Sequence, residues 1–356
     1  NVWSIIAVDP ARGLVLVPTG NTSPDYYGGH RDGLDAYSSS VVALDGTTGK
    51  RVWHFQTVHH DIWDYDVPAQ PTLIDLQVDG ETVPAVVQVT KMGLTFVLHR
   101  ETGEPVFPVE ERPVPQGPVP GEYLSPTQPF PTHVPPLLAP ITEDDAWGLT
   151  FWDRGRCRAA IRELRNDGFY TPPSLEGTLF HPSNAGGNNW GSPAIDPASG
   201  VMVVVTIRVP SSVKLIPRDR CEGLRASPQI GTPYCVQTER LTSPLGVPCT
   251  APPWGTLDAI DLAAGKVLWS TPLGTTRHLA PFPFWWIRGV PGTGGPMITA
   301  GTGRELWKAS LPTTASAVPM TYQLEENGRQ YVVIAAGGHW SGTNPTGDYL
   351  RAYALP

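Results

Sequence analysis

Ala43-Leu44-Asp45-Gly46-Thr47-Thr48-Gly49-Lys50-Arg51-Val52-Trp53 occurs again as Ala259-Ile260-Asp261-Leu262-Ala263-Ala264-Gly265-Lys266-Val267-Leu268-Trp269. In both copies an aspartate stands eight residues before a tryptophan, with a Gly-Lys pair between them. Each copy reads as strand, glycine turn, strand, ending on a large ring able to dock between sheets. His99 to Phe107 is a degenerate copy with Thr102-Gly103 in the turn. Gly303-Arg304-Glu305-Leu306-Trp307 is a truncated one that keeps the Gly-to-Trp spacing of four. Thr299 stands where its Asp belongs, so either this unit is irregular or a stretch near Gly301 is missing. A second unit, Asp9-Pro10-Ala11-Arg12-Gly13-Leu14-Val15-Leu16-Val17, is echoed by Asp196-Pro197-Ala198-Ser199-Gly200-Val201-Met202-Val203-Val204 and reads as a tight turn followed by a buried strand. Short antiparallel strands recurring with a Trp/Gly signature predict an all-β fold, a β-propeller rather than a sandwich. The strands amount to about four blades. A propeller must close to remove its edges, so four blades predict part of a larger ring.

Composition supports this. Forty prolines and 37 glycines in 356 residues are too much punctuation for a helical protein, and 40% hydrophobic residues suffice for a sizeable core. The net charge of −8 and the lack of a basic stripe argue against nucleic acid as a partner. No apolar run approaches 18 residues, and no signal peptide is present. The first residue is not Met and strand-like sequence begins at once, as expected of a mature or partial product. The four cysteines form no Cys-x-x-Cys pair, which argues against zinc. Cys221 and Cys235 flank a short polar loop and are candidates for a disulfide, worth roughly 3 kcal/mol for a loop of about 15 residues.

Residues 104–140 are Pro-rich and without period, an expected excursion over the surface. A single helix is expected next. It would be capped by Thr142, with Glu143, Asp144 and Asp145 in its first turn, and continue through Cys157, Ala160, Ile161 and Leu164 to a stop near Gly168. The domain expectation is one partial propeller over residues 1–356, with an inserted Pro-rich excursion plus short helices over 104–180.

The chemistry concentrates in Val58-His59-His60-Asp61-Ile62-Trp63-Asp64-Tyr65-Asp66-Val67-Pro68. Acids interleaved with large aromatics suggest a partly dry pocket, where a carboxylate can act as a general base beside an aromatic wall. The alternative is a turn whose acids cap backbone N–H groups and whose rings are core. Asp64 is the leading base, with Asp61 and Asp66 as rivals. Lys91 follows twenty-seven residues later, at the end of the apolar strand Ala85 to Val89 and two residues before Gly93. It can donate to an oxygen on which negative charge develops, or else is an ordinary strand-end lysine. Asn21, in Pro18-Thr19-Gly20-Asn21-Thr22-Ser23-Pro24-Asp25, can ligate a hard cation or make an Asx turn. Asn184-Ala185-Gly186-Gly187-Asn188-Asn189-Trp190-Gly191 lets backbone approach a ligand closely but lacks the spacing of a phosphate loop. Gly337-Gly338-His339-Trp340 can bring a further polar residue to the ring's centre. No Gly-x-Ser-x-Gly elbow is present.

These pieces together resemble the pyrroloquinoline quinone (PQQ) dehydrogenases, and most closely the membrane-bound group that oxidises glucose, quinate or polyols. The resemblance rests on Trp63-Asp64 in its motif, the lysine at +27, the upstream Gly-Asn turn and Asn189-Trp190-Gly191 before an Asp-Pro strand. Ser38-Ser39-Ser40-Val41-Val42-Ala43-Leu44-Asp45, Ser125-Pro126-Thr127-Gln128-Pro129-Phe130 and Lys214-Leu215-Ile216-Pro217-Arg218 extend it nearly end to end. It implies the C-terminal half of an eight-bladed propeller that binds PQQ and Ca²⁺ or Mg²⁺. The missing N-terminal half and membrane anchor would lie upstream, with ubiquinone as electron acceptor on the periplasmic side of the bacterial inner membrane. It implies Asp64 as proton acceptor and Lys91 facing the reactive quinone oxygen. Lys91, Asn189, Trp190, Trp63 and His339 would be on the cofactor side, and Asn21 with Asp64 at the metal. Where the glucose enzymes carry an Asn on the corresponding strand, Val201 to Thr206 has only apolar residues and Thr206. That favours a secondary hydroxyl of a quinate-like or polyol substrate, with glucose as the alternative. Readings of another class are a non-catalytic propeller scaffold and a hydrolase on a propeller.

Overall fold

The computed structural model describes residues 1–278, 284–292, 294, 307, 309–338 and 346–354. The first blade pairs β1 (Ala7–Asp9), β2 (Leu14–Pro18), β3 (Ser40–Asp45) and β4 (Arg51–Gln56) in that order, all antiparallel. The second pairs β5 (Thr72–Val78), β6 (Glu81–Val89) and β7 (Thr95–His99). Its fourth strand is reduced to a bridge from Leu98 to Pro105 and the Val106 N–H on the Val97 carbonyl at 2.9 Å. The hairpin β8 (Val109–Pro113) and β9 (Thr127–Pro131) follows, then α1 (Phe151–Glu163) and β10 (Thr178–Phe180).

A second four-stranded blade comes from β11 (Ala194–Asp196), β12 (Val201–Ile207), β15 (Gly255–Asp261) and β16 (Lys266–Pro272). Between β12 and β15 the chain leaves to make β13 (Ser211–Pro217) and β14 (Tyr234–Arg240), which pair with β10 as a side sheet. The last blade holds β17 (Met320–Gln323), β18 (Gln330–Ala336) and β19 (Tyr349–Ala354). Four blades are thus present among the described residues, as the repeats predict.

The two full repeats fold alike in detail. Each is a strand, a glycine turn and a strand, and the pairing slips at the same place, between Ala43 and Leu44 in one copy and between Ala259 and Ile260 in the other. Such a bulge bends the outer strand and turns its tryptophan toward the next blade. Trp53 is buried, and its indole N–H donates to the Arg100 carbonyl of the second blade at 3.0 Å. Its ring lies on Gly103, where a Cβ would stand only 2.5 Å from it and where φ is +75°. The truncated copy lies outside the described residues up to Trp307, which packs edge-on against Tyr353.

Antiparallel blades alternate their ends. The tight turns β1–β2, β3–β4, β5–β6, β11–β12 and β15–β16 share one end of the strands. The connections β2–β3, β4–β5, β6–β7 and β12–β13, of which the first two are long, leave from the other, and this end is stitched across blades. The Val67 N–H donates to the Thr19 carbonyl at 3.2 Å, Gly187 N–H to Lys91 at 2.6 Å, Ile207 N–H to Gly187 at 2.7 Å and Leu137 N–H to Gly93 at 2.9 Å. Asn21, Trp63, Asp64 and Lys91 lie on these connections, and Asn189 and Trp190 lie on the β10–β11 connection that Gly187 ties to Lys91.

The single helix expected from Thr142 to Gly168 is two elements. Thr142 caps a 3₁₀ turn, Glu143–Asp145, in a capping box. The α-helix starts afresh at Phe151, capped by the Thr150 hydroxyl accepting from the Asp153 N–H. Between them, Gly148 sits against the Asp153 and Arg154 backbone with no room for a Cβ, which breaks the run. The expected inward stripe does hold on α1, where Cys157 and Ile161 are buried. Cys157 bonds Cys249, a pairing the spacing did not suggest, and Cys221 bonds Cys235 as expected. With no free cysteine left, the set suits an oxidising compartment.

Placing a Cβ at Gly103 would force the Trp53 ring off its seat in a left-handed backbone. Gly103→Ala is expected to destabilise the protein by about 2 kcal/mol or more, read from urea unfolding midpoints.

Candidate active site

Asp61 builds the loop that carries the acids. Its fully buried carboxylate accepts from the Ser39 hydroxyl at 2.6 Å and from the N–H groups of Trp63 at 2.9 Å and Tyr65 at 3.2 Å. It therefore faces inward as an anchor and is excluded as a solvent-facing base. The turn it holds places Asp64 in the left-handed region, at φ +59°. An aspartate tolerates that conformation better than a branched residue does.

Asp64 points at Lys91. The Lys91 ammonium donates to the Asp64 carbonyl at 2.7 Å and to its Oδ1 at 3.0 Å. It also forms an ion pair with Asp66 Oδ1 at 2.5 Å. The other oxygen of Asp66 accepts from the Trp3 indole N–H at 2.5 Å. Lys91 and Asp66 are almost fully buried, whereas the Asp64 side chain keeps 24% of its surface open. Among the three rival acids, only Asp64 is both tied to the lysine and accessible.

Burial, opposed by Lys91 and reinforced by Asp66 and Asp25, pushes the Asp64 carboxyl up to about 7. Burial also raises Asp25, with Lys91 pulling it back and Asp66 adding to the rise. For Lys91, burial works against the charged form, but Asp64 and Asp66 outweigh it and hold the proton well above the usual lysine range. Lys91 thus pairs two carboxylates, while Asp25 feels its charge and that of Arg31 from nearby.

Asn21 belongs to the same place. Its side-chain N–H donates to the Asp25 carbonyl at 3.3 Å, while its Oδ1 is buried with no hydrogen-bond partner. A buried amide oxygen left without a donor is an acceptor in want of a cation or a ligand N–H. Among the described residues, no group of three His, Cys, Asp or Glu side chains is arranged to hold a metal.

The loop after β10 closes on Lys91. Gly187 N–H bonds the Lys91 carbonyl, and a Cβ on Gly186, at φ +75°, would lie 2.4 Å from the Lys91 side chain. Asn189 spends both polar groups inside this loop, donating to the Ala185 carbonyl at 2.5 Å and accepting from the Trp190 N–H at 2.7 Å. Trp190 is only partly buried and meets Trp3 edge-on at 6.1 Å. Trp63, expected as an aromatic wall, lies in the core instead. It is 1% exposed, its N–H donates to the Thr171 carbonyl, and its ring packs with Tyr65 and Tyr170. Burying an indole there gives Asp61's turn an apolar floor. His339 lies outside the described residues.

Both imidazoles of the acidic segment are engaged elsewhere. His60 sits between Asp35 at 2.6 Å and Glu122 at 3.1 Å under the ring of Tyr123, and His59 meets Gln56 and Glu111. They fasten the β8–β9 excursion to the loop. Sequence reasoning missed Trp3 and the carboxylate of Asp25. Neither belongs to a spaced motif, and only the folded blade brings residue 3 beside residue 66.

The architecture is that of the quinoprotein propellers. It superposes on a europium-containing methanol dehydrogenase with a TM-score of 0.61 over 95% of this chain and 51% of that one, at 22% identity. On the quinohemoprotein alcohol dehydrogenase of Comamonas testosteroni the TM-score is 0.58 over 94% of this chain and 44% of that one, at 24% identity. Residues 1–302 match the PQQ glucose/ethanol/alcohol dehydrogenase β-propeller domain, and the chain belongs to this family.

Among its relatives are the quinoprotein glucose dehydrogenase of Escherichia coli K12, 40% identical over all of this chain and 49% of that protein, and the quinate/shikimate dehydrogenase (quinone) of Acinetobacter baylyi, 39% identical over all of this chain and 49% of that protein. The glycerol dehydrogenase large subunit of Gluconobacter oxydans is 41% identical over all of this chain and 54% of that protein. The chain spans about half the length of the curated relatives it matches. The match to the E. coli enzyme extends over 393 positions against the 356 residues of this chain, so that relative carries internal residues that this chain lacks.

The folded Asp64 carboxyl, near 7, lies above its ordinary 3.8, so between these values the folded state binds more protons than the unfolded one. Stability from this site is fully present below about pH 4 and is lost as pH rises through about 7. In cofactor-free, metal-free protein, Asp64→Asn removes this loss. Its melting temperature relative to wild type is expected to climb between about pH 4 and about pH 8. A pH-independent difference would place Asp64 at its ordinary value.

Proposed function

We propose that this chain is the C-terminal half of a PQQ-dependent dehydrogenase that oxidises a secondary hydroxyl of a polyol, a quinate-like acid or a sugar. The observation that carries the proposal is the Asp64–Lys91 pair, with a partly open carboxylate poised near neutrality beside a fixed ammonium. A scaffold has no use for buried carboxylates paired to a lysine on its cross-blade face, and a hydrolase of the serine or cysteine type would want a hydroxyl or thiol nucleophile that this cluster lacks.

Bound PQQ would supply an ortho-quinone that accepts the hydride of the substrate's carbinol carbon. Asp64 takes the hydroxyl proton as that hydride departs. Lys91, fixed by its two carboxylates, donates a hydrogen bond toward the oxygen that gains charge. The Trp63–Tyr65–Tyr170 packing keeps water away from the inner side of the loop. The residues also fit a hard cation. Asn21 Oδ1 is an orphaned oxygen acceptor, and Asp64 is a carboxylate. Ca²⁺ or Mg²⁺ needs about six or more oxygens, so this chain would supply part of the shell. The cofactor-side contacts assigned to this chain are Lys91 and Trp190, with Asn189 shaping the loop that carries Trp190.

Exposed apolar residues mark both ends of the arc, with Val2, Ile5, Ile6 and Val8 at the first blade and Met320, Leu324, Tyr349 and Leu350 at the last. They suit burial against a further set of blades that closes the ring. The remaining elements of the proposal are an N-terminal half with a membrane anchor, a periplasmic location and transfer of electrons to ubiquinone. A second reading, glucose oxidation, is kept by the E. coli relative. β12 favours the first, since Thr206 is its only polar residue and its hydroxyl already faces the Asn188 amide at 3.3 Å.

In the full-length protein, Asp64→Asn is expected to bind PQQ as judged by absorbance, while dye-coupled turnover falls by about 10²-fold or more. Near-normal turnover would remove Asp64 from the base role. Lys91→Ala is expected to lose rate or cofactor retention, and an unchanged enzyme would leave Lys91 structural. A panel of polyols, quinate and aldoses run on the wild type decides the substrate.

A further inference from the structure

We propose that Asp66, oriented by Trp3, is the positioning residue that holds the Lys91 ammonium in place and keeps Asp64 free to act as a base. This rests on the assignment of Asp64 and Lys91 above. The geometry divides the labour between the two carboxylates. Asp66 makes the shorter contact with Lys91, at 2.5 Å against 3.0 Å for Asp64, and it is the more buried of the two. A lysine with four rotatable bonds holds no fixed direction of its own, and a single ion pair leaves it free to swing. Here the Asp64 carbonyl at 2.7 Å and the Asp66 carboxylate at 2.5 Å hold it from two sides.

Asp66 is fixed in turn. Its Oδ2 takes the Trp3 indole N–H at 2.5 Å, which points the second oxygen at Lys91. Trp3 is itself braced edge-on by Trp190, whose loop bonds the Lys91 carbonyl through the Gly187 N–H. The neighbouring Ser4 hydroxyl donates to the Pro68 carbonyl at 2.5 Å, tying the segment before β1 that bears Trp3 to the loop just beyond Asp66. The result is a relay of contacts from Trp190 through Trp3 and Asp66 to Lys91.

Were Asp66 absent, Asp64 would be the sole carboxylate in contact with the ammonium. A carboxylate locked in the only ion pair of a dry site is a poor proton acceptor, because taking up a proton would leave the buried ammonium unpaired. With Asp66 present, Asp64 can be protonated while Lys91 keeps a counter-ion. That requirement belongs to the reaction, since the resting fold alone needs no second carboxylate here.

The test uses full-length enzyme carrying Asp66→Asn, Asp66→Glu and Trp3→Phe, with three readouts: PQQ affinity by absorbance titration of the apo-protein, the split of kcat and KM, and melting temperature. Asp66→Asn is expected to lower kcat roughly ten- to hundredfold with KM changed by less than about threefold, and to weaken PQQ binding. Asp66→Glu, which restores the charge, is expected to recover part of both. Trp3→Phe keeps the ring and removes the N–H, and is expected to move kcat and PQQ affinity the same way by a smaller factor. Trp3 is 45% exposed, so this variant tests the idea without endangering the fold. Wild-type kcat and PQQ affinity in Asp66→Asn would overturn the proposal, as would losses that follow melting temperature alone and that Asp66→Glu does not relieve. If Asp64→Asn is inactive while Asp66→Asn is normal, only this inference fails. If the wild type itself binds no PQQ, the functional reading fails instead.

Discussion

One buried ammonium pairs two carboxylates on the cross-blade face, and the surrounding structure is organised to keep it there. Lys91 stands in the turn two residues beyond β6, whose last five residues are all buried. The Gly186-Gly187 loop presses on its stem, and two aspartates of the next-door loop receive its charge. Burying a lysine in this way is unfavourable unless its partners are equally well fixed. Asp61 meets that need by spending its own carboxylate on backbone N–H groups, converting an acid-rich stretch into a rigid turn.

The propeller explains why such a cluster forms between residues far apart in sequence. Each blade sends its long connections to one end, and those ends converge. The tryptophan seams maintain the spacing between blades, as Trp53 does on Gly103. The opposite end carries the tight turns of the blades, cross-braced by Arg100 between Asp9 and Asp75. Fold and site therefore divide the sequence: repeats with a fixed period set the blades, and irregular connections carry the chemistry.

The fold was largely legible because a propeller writes its period into the chain. Asp-to-Trp spacing, the glycine turn and even the bulge recur in both full copies. The pairing of Asp64 with Lys91 was legible because an acid-and-aromatic motif is followed at a fixed interval by a lysine just past a buried strand. The rest was hidden for specific reasons. Trp63 looks like an open wall in sequence, but alternation along the loop turns it under the acids, where Tyr65 and Tyr170 receive it. The helix beyond Thr142 had its apolar stripe only from Cys157 to Leu164, and the chain before it forms a separately capped 3₁₀ turn, with Gly148 in the break. Cys157 and Cys249 are separated by 92 residues, and a pairing at that range depends on topology. Trp3 reaches Asp66 only because β1 lies beside the connection that leaves β4.

The central claim is that the Asp64–Lys91–Asp66 cluster faces the oxidant. The most direct measurement is a crystal structure of the full-length protein loaded with PQQ and Ca²⁺. The account predicts the Lys91 nitrogen within about 3 Å of a quinone oxygen and the Asp64 carboxylate open toward the carbon that takes the hydride. PQQ seated elsewhere in the ring, with Lys91 and Asp64 paired only to each other, would contradict it.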